Sequence, residues 1–230
     1  MPNYAKLAVH SALSVFGIRS QYEQPRYEVM EYVGSVEIRA YGKRLAAEAT
    51  VTAPDEAGGR EQAFKILAAY IFGQNRTAEG VASGAGAAQP MAAGGPGETT
   101  VDPPVATREI AMTTPVQTST TGAGRFVMRF FLPGEHTIAT APKPLDARVR
   151  LVELPKETLA ALAFGGRASP DEVGRCKREL AEALKPSAWR PTGEPVALFY
   201  DPPFMVPFLR RNEVAVAVEP ARRAAAAASG

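Results

Sequence analysis

The sequence is short of the side chains on which much protein chemistry runs. Its 230 residues hold one cysteine, two histidines and one tryptophan. A single cysteine, Cys176, excludes a disulfide within the chain. It stands at helical spacing from Val173 and Leu180, where a buried structural thiol is the ordinary occupant. Two histidines, His10 and His136, are too few for a multi-histidine metal site, and they argue against a Ser-His-Asp triad. Charge of one sign is lacking too: 26 Lys and Arg stand against 24 Asp and Glu, for a net charge of +2. No basic stripe interleaved with aromatics is present, so nucleic acid is not an expected partner. The pairs Arg210-Arg211 and Arg222-Arg223 read as solvated surface. Apolar runs of membrane length are missing. The best candidate, residues 7–18, is interrupted by His10, Ser11 and Ser14 and follows only one basic residue, Lys6, which makes a poor signal peptide. It also falls short of the roughly 20 apolar residues of a spanning helix. The expectation is a cytoplasmic protein in which residues 1–21 form a weak helix, with membrane or export association of that segment left open.

What is there suits a globular chain. It is 46% hydrophobic and 22% charged, which suits one ordinary globular domain, or two small ones, with an ample core. Residues 27–33 and 35–41 read as two strands around Gly34; Val36, Ile38 and Ala40 alternate with Glu37, Arg39 and Tyr41. Residues 44–51 alternate likewise, and Pro54 and Gly58-Gly59 are read as breaking the pattern. The period then changes. Phe64, Leu67 and Ile71, flanked by Ala63, Ile66 and Tyr70, predict a helix over 60–72. Residues 109–114 read as a strand stopped at Pro115. Residues 125–132 form the clearest strand, with Phe126, Met128, Phe130 and Leu132 on one face. Strands follow at 149–154 and 158–164. Ser169, Pro170 and Glu172 carry the full start signal of a second helix, whose buried stripe is Val173, Cys176, Leu180 and Leu184. A strand over 196–200 stops at Asp201-Pro202-Pro203, where neither proline can donate to a sheet ladder. Another strand begins at Val214.

Residues 76–107 are different material: Gly, Ala, Pro, Thr and Ser with almost no large apolar side chain. Such a segment buries too little surface to offset its ordering entropy and is expected to be a disordered insertion. The alanine-rich stretch 220–230 is expected to be a disordered tail. The domain is accordingly placed at 22–219. Within it the order hides a repeat: Leu45-Ala46-Ala47-Glu48-Ala49 resembles Leu159-Ala160-Ala161-Leu162-Ala163, and each precedes a helix. Two β-rich halves with one helix each, related by a pseudo-twofold axis, give an antiparallel α+β fold.

Between Tyr200 and Val214 the chain crowds apolar side chains into an irregular segment, Phe204, Met205, Val206, Phe208 and Leu209, then turns to Arg210-Arg211-Asn212. Tyr200-Asp201-Pro202-Pro203 with Arg210-Arg211-Asn212-Glu213-Val214 resembles the C-terminal signature of the SOUL haem-binding family. Ile110-Ala111-Met112-Thr113-Thr114-Pro115-Val116 resembles its other signature. Tyr27-Glu28-Val29, the YIFGQN run at 70–75 and Pro142-Lys143-Pro144-Leu145 fit in the same order. The resemblance implies a distorted antiparallel β-barrel of two such repeats with two helices. It also implies non-covalent binding of haem or another porphyrin in an apolar groove near the first helix and the Tyr-Asp-Pro-Pro loop. The link at 76–107 is longer than the family's usual one. Basic residues that some members carry after the paired prolines are replaced here by Met205 and Val206.

A porphyrin is a flat apolar plate with two propionates, so it needs aliphatic and aromatic walls and cations at the rim. Phe64, Leu67, Ala68 and Ile71 offer one wall; Phe204, Met205, Val206 and Phe208 offer another. Arg60, Lys65 or Arg210 would meet a propionate. For the iron, His136 in the loop 133–136 is the candidate axial ligand; Met112 and Met128 sit in strand patterns where a core role is ordinary. The resulting expectation is a haem carrier, buffer or sensor that catalyses nothing by itself. Its rivals are a small-molecule-sensing module of the same architecture without haem specificity, and an enzyme using Glu37, Glu48 or Glu109 as acid or base.

Overall fold

The computed structural model describes residues 22–77, 106–122, 124–201 and 206–221. Three expectations therefore fall wholly or largely outside the described residues: the weak helix at 1–21, most of the insertion at 76–107, and most of the tail at 220–230. In chain order the elements are β1 Tyr27–Val33, β2 Val36–Tyr41, β3 Arg44–Thr52, α1 Glu56–Ile71, β4 Asn75–Arg76, β5 Val116–Thr121 and β6 Arg125–Phe131. They continue with β7 Lys143–Pro144, β8 Val149–Leu154, β9 Glu157–Gly165, α2 Pro170–Leu184, β10 Trp189–Pro191, β11 Val196–Phe199 and β12 Arg211–Pro220.

The second helix forms as its start signal dictates. Ser169 Oγ accepts the Glu172 N–H at 3.2 Å, Pro170 takes the first position, and Val173, Cys176, Leu180 and Leu184 are buried. The first helix departs from the reading in its start. It begins at Glu56, not at residue 60, because Asp55 caps it by accepting the Gly58 N–H at 2.8 Å. Gly58 and Gly59 lie inside it. Gly59 is there for space: a Cβ on it would run into the Phe126 ring. Residues 109–114 are a second departure. They form no strand, only a single bridge between Thr113 and Glu23, and the ladder starts after Pro115 with β5.

Nine strands lie side by side in the antiparallel order β1-β2-β9-β12-β11-β5-β6-β3-β8, and β10 adds to β12. The sheet curls strongly into a half-barrel that carries two helices. Its order is symmetric. The first repeat is β2, β3, α1, β5, β6 and the second is β8, β9, α2, β11, β12; they meet where Ala197 pairs Thr118 and Phe199 pairs Val116. The leading strand of each repeat is exchanged: β2 pairs β9, and β8 pairs β3. Alternation gives the sheet two faces. One is covered by the helices, α1 over Ala47, Ala49, Phe126, Met128 and Phe130, and α2 over Val36, Ile38, Leu162, Val214 and Val216. The other face gathers Tyr41, Leu159, Ala161, Leu198, Tyr200 and Ala215.

The base of the 76–107 segment is tied down on both sides. Arg76 pairs Lys143 across β4 and β7, and the Thr77 N–H donates to the Ala106 carbonyl at 3.0 Å. Asn75 clamps the same place: its Nδ2 donates to the Tyr70 and Arg108 carbonyls, both at 2.8 Å, and its Oδ1 accepts from Arg108 N at 3.1 Å.

Candidate functional site

Helix α1 holds to the sheet by its most apolar side: Ala63, Ile66, Leu67, Tyr70 and Ile71 are all buried. Leu67 and Ile71, expected in the wall of a ligand groove, are core residues here. A helix on a sheet must spend its broadest apolar stripe on the sheet itself. The flank of α1 that turns towards β5 and β11 is different. Phe64 is 42% exposed, and its ring meets Phe130 edge-on with centroids 5.5 Å apart. One turn earlier the Arg60 guanidinium lies 4.3 Å over the Phe199 ring of β11 and faces Glu56 at 3.5 Å. Burial pulls the Arg60 pKa down, against the pull of Glu56. Ala68 is half-buried, and Lys65 points to solvent, bonded to Glu61 at 2.6 Å.

Between β11 and β12 the chain forms a short 3-10 turn, Pro207–Leu209. Phe208 is 81% exposed, Leu209 is exposed, and Val206 and Arg210 are half-buried. Phe204 and Met205 lie outside the described residues. The space under α1, between Gly59, Arg60, Ala63, Thr118 and Met128, amounts to about 10 Å³. That admits one water-sized group and nothing larger.

Of the candidate iron ligands, Met112 and Met128 belong to the core under α1 and only His136 lies in a loop. His136 lies in the β6–β7 loop with its side chain 8% exposed and its Nε2 3.7 Å from Glu135. The loop is pinned by the Gly134 N–H, which donates to Glu23 Oε1 at 2.8 Å. Met128 is buried and Met112 is packed against the same core. The glutamates weighed as acids or bases have partners or lie open: Glu37 accepts from Arg39 at 2.8 Å, Glu48 from Arg129 at 2.8 Å, and Glu109 is exposed.

What the sequence reading missed is the polar centre of the opposite face. Glu213 is fully buried on β12. Arg39 donates to both of its oxygens, at 2.7 and 3.0 Å, and stacks over Tyr27 with 4.5 Å to the ring centroid. Arg211 donates at 2.6 and 3.1 Å, and the Tyr200 hydroxyl at 2.7 Å. Burial alone would raise the Glu213 pKa, but Arg39, Tyr200 and Arg211 outweigh it and the carboxyl is held below its usual range. Burial, and then Glu213, push the Tyr200 hydroxyl upward. Arg39 and Glu213 lie 174 residues apart, so no local spacing announces the pair.

Several solved structures share the fold. The C-terminal domain of EcmrR aligns with a TM-score of 0.53 at 10% identity, over 84% of this chain and 98% of that one. A hydrolase from Listeria innocua aligns with a TM-score of 0.50 at 12% identity, over 80% and 92%. At such identities the likeness is one of fold. No curated protein matches the sequence. Among the described residues no helix is long and apolar enough to cross a membrane. The model of the SOUL heme-binding protein family matches residues 22–92 and 102–217, most of the chain, and the protein belongs to that family.

Proposed function

We propose that the protein binds haem or a related porphyrin on the open apolar surface between α1 and the β11–β12 connection, and serves as a carrier, buffer or sensor, not as a catalyst. Family membership supports a tetrapyrrole ligand in the coarse sense. The observation that carries the placement is the exposure of two large aromatics, Phe64 and Phe208. Exposed aromatic surface of this kind asks for a cover. The residues present fit the ligand's chemistry. Phe64, Ala68, Val206 and Phe208 would meet the apolar plate, while Arg60 or Arg210 would meet a propionate. Lys65 is committed to Glu61 and contributes less. Held by its faces, the porphyrin needs no iron ligand from His136, whose side chain is only 8% exposed.

Titration with haemin and with metal-free protoporphyrin, followed by absorbance and by quenching of Trp189 fluorescence, tests this. Both ligands are expected to bind at micromolar concentration. Phe64→Ala and Phe208→Ala are expected to weaken both alike, by about tenfold to a hundredfold if each ring is fully covered by the ligand. His136→Ala is expected to leave haemin affinity and its spectrum unchanged. Absence of any spectral change or quenching overturns the reading. Equal affinity of wild type and both phenylalanine variants places the ligand elsewhere.

A further inference from the structure

Strands β11 and β12 stop pairing at Tyr200 and Arg211, and a side chain stands where the next ladder bond would form. Phe199 pairs Asn212 in the ladder, and the Tyr200 N–H carries it one step further by donating to the Arg211 carbonyl at 3.3 Å. In an antiparallel ladder such a pair exchanges two bonds, the second from the opposite N–H. Here the Arg211 N–H donates to Asp201 Oδ2 instead, at 2.6 Å. Pro202 and Pro203 follow and offer no N–H with which the ladder could resume. The rest of Arg211 is held too. Its guanidinium lies 4.3 Å over the Tyr200 ring and donates to the buried Glu213. Next to it, Asn212 Nδ2 donates to the Gly166 carbonyl just past β9, at 3.1 Å. The two ends of the β11–β12 connection are tied to each other and to the sheet. Between them the 3-10 turn Pro207–Leu209, closed by the Leu209 N–H on the Val206 carbonyl at 3.0 Å, presents Phe208.

We infer that, given the placement of the porphyrin between α1 and this connection, Asp201 is a positioning residue for the porphyrin surface. By taking the Arg211 N–H it ends the ladder, releases the connection from the sheet and fixes where Phe208 stands. The energetics favour the side chain over the backbone: a carboxylate accepting an N–H makes a charge-assisted bond roughly twice as strong as the neutral bond it replaces. An untied connection would populate many arrangements, and a ligand that selects one of them loses affinity in proportion to how seldom that one occurs. Tied at its base, the connection offers its aromatic already in place, so little ordering cost is left for the ligand to offset. Asp201 acts through Arg211 and Phe208 and makes no contact of its own with the ligand.

Amide hydrogen exchange followed by NMR, without ligand, tests the tie on the full chain. The wild-type Arg211 N–H is expected to be protected. Asp201→Ala should speed its exchange by about tenfold to a hundredfold, the range for one hydrogen bond to a charged group, and should speed Leu209 with it. Asp201→Asn keeps an oxygen acceptor in place and should stay closer to wild type than the alanine variant. Amides in the middle of β9 should exchange alike in all three proteins. Titration with haemin and protoporphyrin then tests the positioning. Asp201→Ala is expected to weaken both about tenfold, as for a competent arrangement populated one tenth of the time. It should do so through Phe208: in a Phe208→Ala background Asp201→Ala should cost little more, whereas in a Phe64→Ala background its cost should be undiminished. A wild-type Arg211 N–H that exchanges like an exposed amide overturns the inference with no variant at all, as does Arg211 and Leu209 exchange indifferent to Asp201→Ala. Full additivity of Asp201→Ala with Phe208→Ala overturns the positioning and leaves the porphyrin surface standing. A wild type that binds neither porphyrin removes the surface and the positioning together, and is told apart from a broken tie by exchange rates that stay as expected.

Discussion

Glu213 illustrates how one residue holds the second repeat to the first. Its carboxylate sits on β12 and its principal partner, Arg39, on β2, strands that flank β9 on either side. Removing one member of such a pair leaves a buried charge uncompensated. Glu213→Gln is therefore expected to cost about 3–5 kcal/mol of stability, read by urea unfolding at neutral pH. The pH dependence follows from the direction of the shift. The folded carboxyl titrates below its ordinary value of 4.5, so its contribution is complete above that pH and fades as pH falls through the lower folded value. The variant should lack this part of the acid loss; an identical acid profile in both proteins would show that Glu213 is not its source. At this scale the sequence was legible only in part. Tyr200, Asp201, Arg211 and Glu213 belong to the segment read as an apolar groove, yet their polar groups hold the fold. Asp201 accepts the Arg211 N–H at 2.6 Å across the turn, and Tyr200 and Arg211 both serve Glu213. Partners far apart in the chain leave no mark on local periodicity, so the pairing of Arg39 with Glu213 was not foreseeable from spacing.

The elements themselves were easier to read where capping and period agree. Helix α2 has a cap, a proline at its first position and a clean four-residue stripe, and it was legible in full. Helix α1 was legible in its apolar half but not in its first turn, because Gly58 and Gly59 look like a break and only tertiary contact explains the second of them. The two glycines should respond oppositely to the same change. Gly58→Ala places its Cβ at an ordinary 3.5 Å from Asp55 Oδ1, so it should stabilise the helix by about 0.5–1 kcal/mol. Gly59→Ala gains the same propensity but drives a methyl into Phe126; overpacking of that kind costs about 1–3 kcal/mol, and the net change should be destabilising. Paired thermal melts decide it: two shifts of the same sign would mean that the close approach is relieved cheaply. The strand expected at 109–114 failed for a related reason. Its apolar residues are spent on packing, Ile110 in the α1 core with Met112 against it, while Thr113 Oγ1 donates to the Phe131 carbonyl. A buried irregular segment reads like a strand until its hydrogen bonds are traced.

For the whole molecule the exchange of β2 and β8 matters more than the repeat itself. The pseudo-twofold pairing of two β-β-α-β-β units was visible in the matching strand–helix order, but not the exchange, since alternation says which face a strand buries and never which neighbour it takes. With β2 on β9 and β8 on β3, neither repeat has a complete sheet of its own. The core under α2 counts Val36 and Ile38 of the first repeat among its members, and β5 and β11 join the halves along a further ladder. Unfolding one repeat would strip both partners from the outer flanks of the other, so the two should melt together. The one tryptophan, Trp189, lies in the second repeat, whereas far-UV circular dichroism reports on both. Urea unfolding followed by tryptophan fluorescence and by circular dichroism is expected to give coincident single transitions, the mark of two-state behaviour. A fluorescence midpoint displaced from the dichroism midpoint would show that the second repeat opens alone, and that the exchanged strands contribute less to cohesion than their pairing implies.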